Sequence, residues 1–553
     1  MVARRHSIER NGRARRRLCR APSRRPGLSL VAVLGALLVA TQLACSERGT
    51  ASGGSGTAPM HRPLILLGVD GLEWDLLLRF MDEGALPNLA ALARDGFAAE
   101  LATLDDTISP VIWTTVVTGK LPQEHGITQF SYFDEQHQPH LLLSMHRASK
   151  ALWNLYDEAG LSSEVIGWWC TFPVEEIRGG MVAQTSTRAQ VAIEDGAVIW
   201  KGTNLHGLPF QTWPEERQAR MDQHAEQLVA AVQEGRDPCV KRFGAPPPPE
   251  RKLPTRLYTA LRTGYYADLL FCAAAMDVLD AAVLDDASRK GAALPDALLL
   301  YVGSVDVASH MFWRYFEPDV FDDAPSEADI ARFGDVIKQA YRFVDETVGE
   351  LRRRAPDVDL LLMSDHGFHA VAMKAKFPDE KSDRADSGNH QDAPPGVLLA
   401  IGPSFRKQPL KQGATRADVK RVGGVEDVLP TLLVRVGLPY ALDFAGRPRL
   451  DLLMPEVIKE RPIRSVPTHD DPVWRTRRAE LLRKIPEFER HFEAALQSLD
   501  GASLDLLRAL GYTGDGLHPE GPPRSQKAPL PSKPSKPADS SRSPQSPEQD
   551  GRR

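Results

Sequence analysis

The sequence predicts an α/β fold, a wound and mostly parallel sheet flanked by helices, and two observations carry that expectation. Three aliphatic runs end in aspartate: 64–70 (LILLGVD), 298–306 (LLLYVGSVD) and 360–365 (LLLMSD). Short continuous apolar runs read as strands buried on both faces of a parallel sheet. Helical stretches alternate with them, as winding such a sheet requires.

After strand 64–70 come helices at 74–80 and 87–95, the second opened by Pro87, where a missing N–H costs nothing. The string SPVIWTTVVTG (109–119) reads as a further helix, with Ser109 as N-cap, Pro110 at the first helical position and Thr118-Gly119 as the stop. Residues 171–290 change character. They hold a polar helical stretch (214–234), the breaker APPPPE (245–250) and a helix at 253–284, and read as a cap inserted between sheet strands. Sheet signals return at Ala297 and continue through GVLLAIG (396–402), and 425–436 (VEDVLPTLLVRV) reads as a closing helix. The core domain spans 63–455 on this reading, followed by a helical appendage (456–514). The Pro-, Ser- and Lys-rich segment 515–553 lacks the apolar residues to offset its ordering entropy and is expected to be disordered.

Residues 1–44 carry ten arginines and one glutamate, so taking +9 from the overall −5 leaves −14 on the remainder. An acidic body argues against a nucleic-acid polymer as partner. The apolar segment 28–44 is short for a spanning helix and ends in small residues before Cys45, as an export signal does. Thr41 to Cys45 (TQLAC) resembles a bacterial lipobox, with Gln42 where an aliphatic residue is usual. Lipidation at Cys45 and an uncleaved N-terminal anchor both remain open, and both place the body outside the cytoplasm at a membrane, with 45–62 as a flexible tether. Cys170, Cys239 and Cys272 show no thiolate metal spacing, and burial is their expected role.

If the three runs are parallel strands, their carboxyl ends open on one edge and the aspartates converge. At ~4 Å and an effective dielectric near ~20, each carboxylate pair repels by about 4 kcal/mol, so the cluster needs protons or cations. The histidines point to metals. Asp306 and His310 stand one helical turn apart, and Asp365 and His366 share a site if the backbone turns just past the strand, for which Gly367 is placed. In the polar loop SGNH, His390 is the remaining candidate, with His369 as its rival. Oxygen and imidazole donors suit zinc, with manganese the main alternative. A serine at a helix start faces free N–H groups, an anion site in which its oxygen meets a phosphorus.

These motifs, GVDG (68–71), SPVIWTTVVTGKLPQEHGI (109–127), SVDVASH (304–310), SDHGF (364–368) and GNH (388–390), resemble in order the alkaline phosphatase superfamily, and within it the type I phosphodiesterase and nucleotide pyrophosphatase branch. The resemblance implies an alkaline-phosphatase-like sheet and two divalent metals. Asp70, Ser109, Asp365 and His366 would hold one; Asp306, His310 and His390 the other. Ser109 falls at the nucleophile position, where many relatives have threonine, and Thr107 is the fallback. The implied activity is hydrolysis of a small phosphodiester or pyrophosphate through a phosphoseryl intermediate. An envelope phosphotransferase or a catalytically silent scaffold are the alternatives.

The chain departs from the pattern at Ile112, where nucleotide pyrophosphatases usually place an asparagine, so nucleotide specificity does not carry over. Trp113 stands where a sulfatase would need arginine. Trp168, Trp169 and Phe172 are candidates for stacking on a base or aromatic leaving group, against core packing. Lys120 is either a phosphate contact or a helix-end charge.

Overall fold

A strand buried on both faces needs apolar side chains at every position, because successive residues point to opposite sides. The computed structural model describes residues 62–497 except 134–138, 188, 195–196, 204–207, 249, 289–293, 323 and 372–386. Its sheet contains β1 Leu64–Val69, β2 Phe97–Ala102, β3 Ser163–Ile166, β4 Gly179–Val182, β5 Thr212–Trp213, β6 Ala297–Val302, β7 Asp359–Met363, β8 Gly396–Ile401 and β9 Arg421–Gly424. The nine strands run in the order β9-β2-β8-β7-β1-β6-β3-β4-β5. From β7 to β4 every neighbour is parallel. β8 opposes both β7 and β2, and β5 opposes β4.

The three aspartate-ended runs are the central strands, and their residues split by parity between two cores. Ile65, Leu67 and Val69 of β1 join Leu298 and Leu300 of β6 and Leu360 and Leu362 of β7 on one face. Leu64, Leu66, Leu299, Leu361 and Met363 pack on the other. At ~1.5–3 kcal/mol per fully buried aliphatic side chain, these strands dominate the stability of the sheet.

The first face is covered by α1 Trp74–Asp82, α2 Pro87–Asp95, α4 Lys252–Ser288, α5 Ser304–Phe316 and α6 Val336–Arg354. The second is covered by α3 Ser109–Thr118 and α7 Val428–Val436. The architecture is therefore a mostly parallel sheet between helical layers.

Segment 171–290 is only partly an insertion. It supplies β4 and β5 to the main sheet, and α4 lays Leu257, Leu261 and Leu270 into the core beneath β6. Strands of two and four residues bounded by glycine or proline carry no readable period, so they were invisible in the sequence. After the core, helices Pro472–Leu482 and Ile485–Gln497 pack back on it. There Trp474 Nε1 donates to Ala148 O at 2.8 Å, and Phe488 meets Leu143 and Phe172.

Cys170, Cys239 and Cys272 are buried free thiols, and burial pushes Cys170 and Cys239 up to about 12, which makes them inert. The export segment, Cys45, the tether, the appendage beyond residue 497 and the tail lie outside the described residues. Among the described residues no helix is long and apolar enough to cross a membrane.

Candidate active site

All seven residues singled out above lie at one edge of the sheet. Asp70 follows β1, its N–H held by Val302 O at 2.9 Å. Gly71 has φ +70, and a Cβ there would stand 3.1 Å from Phe368 and 3.2 Å from Asp306 Cα, so only glycine lets these segments close on each other. Its N–H donates to Asp365 Oδ1 at 3.2 Å. Asp365 and His366 sit just past β7. Gly367 there serves by space and not by a positive φ, since a Cβ would lie 2.8 Å from Pro394 O. Asp306 is in the first turn of α5, not at a strand end: β6 stops at Val302, and helix geometry then brings His310 Nε2 to 3.5 Å from Asp306 Oδ1. His390 follows the two-residue strand Gly388–Asn389, which pairs with His369–Ala370.

The donors form two clusters that share one imidazole. Asp70, Asp365 and His366 bring ligand atoms within 4.8 Å of one another, as do Asp306, His366 and His390. His366 Nε2 is 3.5 Å from Asp70 Oδ1 and 3.3 Å from Asp365 Oδ2. His390 Nε2 is 4.0 Å from Asp306 Oδ1, and the His366 and His390 rings stack at 4.1 Å. Ser109 Oγ faces Asp70 Oδ1 at 3.4 Å. His310 stands at the edge of this group through Asp306.

Supporting contacts orient four of these side chains. His310, His366 and His390 each spend Nδ1 on an oxygen, Gly388 O at 3.1 Å, Gly367 O at 3.0 Å and Thr107 Oγ1 at 3.1 Å, which directs Nε2 to the site. Asp70 Oδ2 accepts from Tyr301 OH at 2.6 Å and Trp113 Nε1 at 3.0 Å, leaving Oδ1 for the site.

His366 Nε2 and Asp365 Oδ2, both buried, make no hydrogen bond. Burial, then the charges of Asp70 and Asp306, push the Asp365 carboxyl well above the carboxylate range. Burial pushes His366 down, partly opposed by Asp70, and pushes His390 down with help from the His366 and His310 charges. Neutral imidazoles beside crowded carboxylates, with buried donor atoms lacking hydrogen bonds, fit a divalent cation.

Several readings change. Ser109 is the first helical residue and Ile108 the cap. Val111 and Ile112 donate to Ile108 O at 2.9 and 3.0 Å and Pro110 has no N–H, so residues 110–112 offer an anion no backbone donor. Ile112 is fully buried in the apolar core, and no polar group is presented there. Thr107 is not poised as a nucleophile: its hydroxyl donates to His390 O at 2.6 Å. Trp168 is fully buried, donating Nε1 to Trp113 O, and Trp169 and Phe172 are core residues, so the stacking role gives way to packing. Lys120 Nζ is bound to Asp443 at 2.8 Å. His369 spends both ring nitrogens on backbone carbonyls, Ala370 O and Gln391 O.

The hold of Tyr301 and Trp113 on Asp70 escaped the sequence reading. Their signal was a phenol inside an otherwise aliphatic buried run and an indole one turn beyond Ser109, since polar tips in a core need partners.

The sequence model of the type I phosphodiesterase / nucleotide pyrophosphatase family matches residues 64–454. No curated protein matches the chain. Among solved structures, human ectonucleotide pyrophosphatase / phosphodiesterase 5 is 12% identical with a TM-score of 0.40, covering 71% of this chain and 100% of that one. The murine form, an inactive variant in complex with AMP, is 14% identical with a TM-score of 0.39 and the same coverage. Likeness that faint adds nothing to the family match. That match runs from the first sheet strand to the end of the core and takes in all seven clustered residues, and the chain belongs to the type I phosphodiesterase / nucleotide pyrophosphatase family, hydrolases of the alkaline phosphatase superfamily.

Proposed function

We propose that the protein cleaves a small phosphodiester or pyrophosphate through a phosphoseryl intermediate on Ser109, with two divalent cations, zinc before manganese, bound by the seven clustered residues. The carrying observation is the Ser109 hydroxyl directed at Asp70 Oδ1 beside the buried Asp365 Oδ2 and His366 Nε2. Cations held there would supply Lewis acidity, lowering the serine pKa and offsetting phosphate charge.

The chain's own part is placement. Trp113 and Tyr301 fix Asp70 so that one oxygen meets the serine. Ser109 attacks phosphorus, its Oγ–P bond forming as the bond to the leaving oxygen breaks, and water then attacks the phosphoseryl group to return the free hydroxyl. The arginine-rich leader and apolar segment 28–44 support action outside the cytoplasm, tethered through Cys45 or an uncleaved anchor.

Turnover of bis(p-nitrophenyl) phosphate and p-nitrophenyl phosphate, each under zinc and manganese, tests this reading. Diester turnover exceeding monoester turnover is expected, and no metal-dependent turnover of either would refute it. An added alcohol yielding phosphorylated alcohol instead of free phosphate ester would favour transfer over hydrolysis.

Tyr301→Phe removes one donor from Asp70 Oδ2 and leaves the aromatic core otherwise filled. Zinc affinity or kcat is expected to fall about 10- to 100-fold, with the melting temperature nearly unchanged. A chelator competition and a thermal melt measure the two.

A further inference from the structure

Asp268, on α4, is 2% exposed and is none of the ligands. It accepts from Gly303 N–H at 2.9 Å and Ser304 N–H at 2.8 Å, across 35 residues of sequence in the first case. These donors open α5, where no intrahelical carbonyl can reach them. A side chain at the N-cap would take the next donors, those of N2 or N3, and leave these two to a partner from elsewhere in the fold. The N-cap here is Gly303, and a Cβ on it would stand 3.0 Å from Tyr301 OH, the hydroxyl that holds Asp70. The group that orients one ligand therefore crowds any side chain at the N-cap of the helix bearing two others, and the first two donors of that helix are held from α4.

The arrangement has a cost. Burial pushes the Asp268 carboxyl up to about 7 against the opposing Ser304 and Gly303 hydrogen bonds, and the charge of Asp70 adds to the rise. A carboxylate is retained there although the site already crowds three others.

We infer that Asp268 is a positioning residue for the Asp306 and His310 half of the metal site, fixing the first turn of α5 so that both side chains face the site. This rests on the two-cation reading of those residues. It makes α4, from the segment read as an insertion, part of what shapes the site.

The test is a zinc titration against a chromophoric chelator for the native protein, Asp268→Asn and Asp345→Asn, with a melt of each metal-free protein. Asp345 is the comparator: a buried carboxylate on α6 that accepts from Leu89 N at 2.8 Å and Asn88 Nδ2 at 2.9 Å at the start of α2, a helix without ligands. Asp268→Asn is expected to bind one zinc normally and the second about tenfold or more weakly. Asp345→Asn is expected to melt lower and bind both normally. Asp268→Glu, which keeps the charge on a longer arm, is the second variant should the asparagine fail to fold, and the same weakening is expected. Binding of both zinc ions by the Asp268 variant within about twofold of native, or equal weakening in Asp345→Asn, overturns the inference. A native protein that takes up fewer than two zinc ions overturns the two-cation reading instead.

Discussion

Ser109→Ala is expected to reduce kcat on diester substrates by on the order of 10⁴ or more while leaving the fold and the metal content intact. The magnitude follows from the role. An alanine offers no oxygen to phosphorus, and a loss of 10⁴ corresponds to about 5.5 kcal/mol of barrier. Stability should hardly change, because the hydroxyl's contact to Asp70 is long, 3.4 Å, and no other buried group depends on it. Asp70 is held by Tyr301 and Trp113, and Asp365 by the Gly71 N–H, none of which involves the serine. Ser109→Thr, carrying the residue many relatives have, should retain much of the activity. Thr107→Ala separates the two registers. Its hydroxyl braces His390 through both the carbonyl and Nδ1, so the expected result is weaker zinc binding and about a 10- to 100-fold loss, not abolition. Should Ser109→Ala keep more than about a tenth of native turnover while Thr107→Ala is dead, the nucleophile assignment is wrong.

The parts legible in the sequence were those with long, unambiguous patterns. Strands β1, β6 and β7 announced themselves because both faces are apolar, and α2 because Pro87 marks its start. Convergence of Asp70 and Asp365 followed from topology, since parallel strands deliver their carboxyl ends to one edge, and Asp306 joins them from the first turn of the helix that follows β6. What could not be read were contacts set by tertiary packing. The order of β3, β4 and β5 along the sheet depends on strands too short for a period. Trp168 could be read as a stacking platform or as core, and only packing decides: its ring fills the space against Trp113 at a 5.0 Å centroid separation. The tie from Asp268 to α5 spans two helices and has no local signature, because its partners are backbone groups that every residue carries. The sequence located the side chains that cluster; their orientation comes from Tyr301, Trp113 and Thr107, which only the assembled fold brings into contact.

Metal removal is expected to abolish turnover and to lower the melting temperature, by an amount that grows with pH. In the metal-free protein the Asp365 carboxyl titrates above its unfolded value, so its contribution to stability is full at low pH and is lost as pH rises through the folded value. His366 and His390 are shifted the other way, so their contribution is present above the ordinary imidazole range and lost as pH falls below it. Well above the ordinary imidazole range these imidazoles are neutral in both states, and the remaining fall comes from the raised carboxyls, Asp365 and also Asp268, which burial pushes up to about 7. The chelated protein should therefore melt lower as pH rises past the imidazole range. A bound cation replaces the proton on Asp365, and at a thousandfold excess over Kd it adds about 4 kcal/mol. Because the histidines already stand neutral, the competition a metal meets comes from the carboxyl, and affinity rises with pH until that proton is gone. Thermal melts with zinc and with chelator at pH 5.5 and pH 8 measure the difference directly. The gap should be wider at pH 8, and Asp365→Asn, which has no proton to lose, should reduce the fall in the chelated protein at high pH. An equal or narrower gap at pH 8 would mean that the carboxylates are neutralised by something other than a metal.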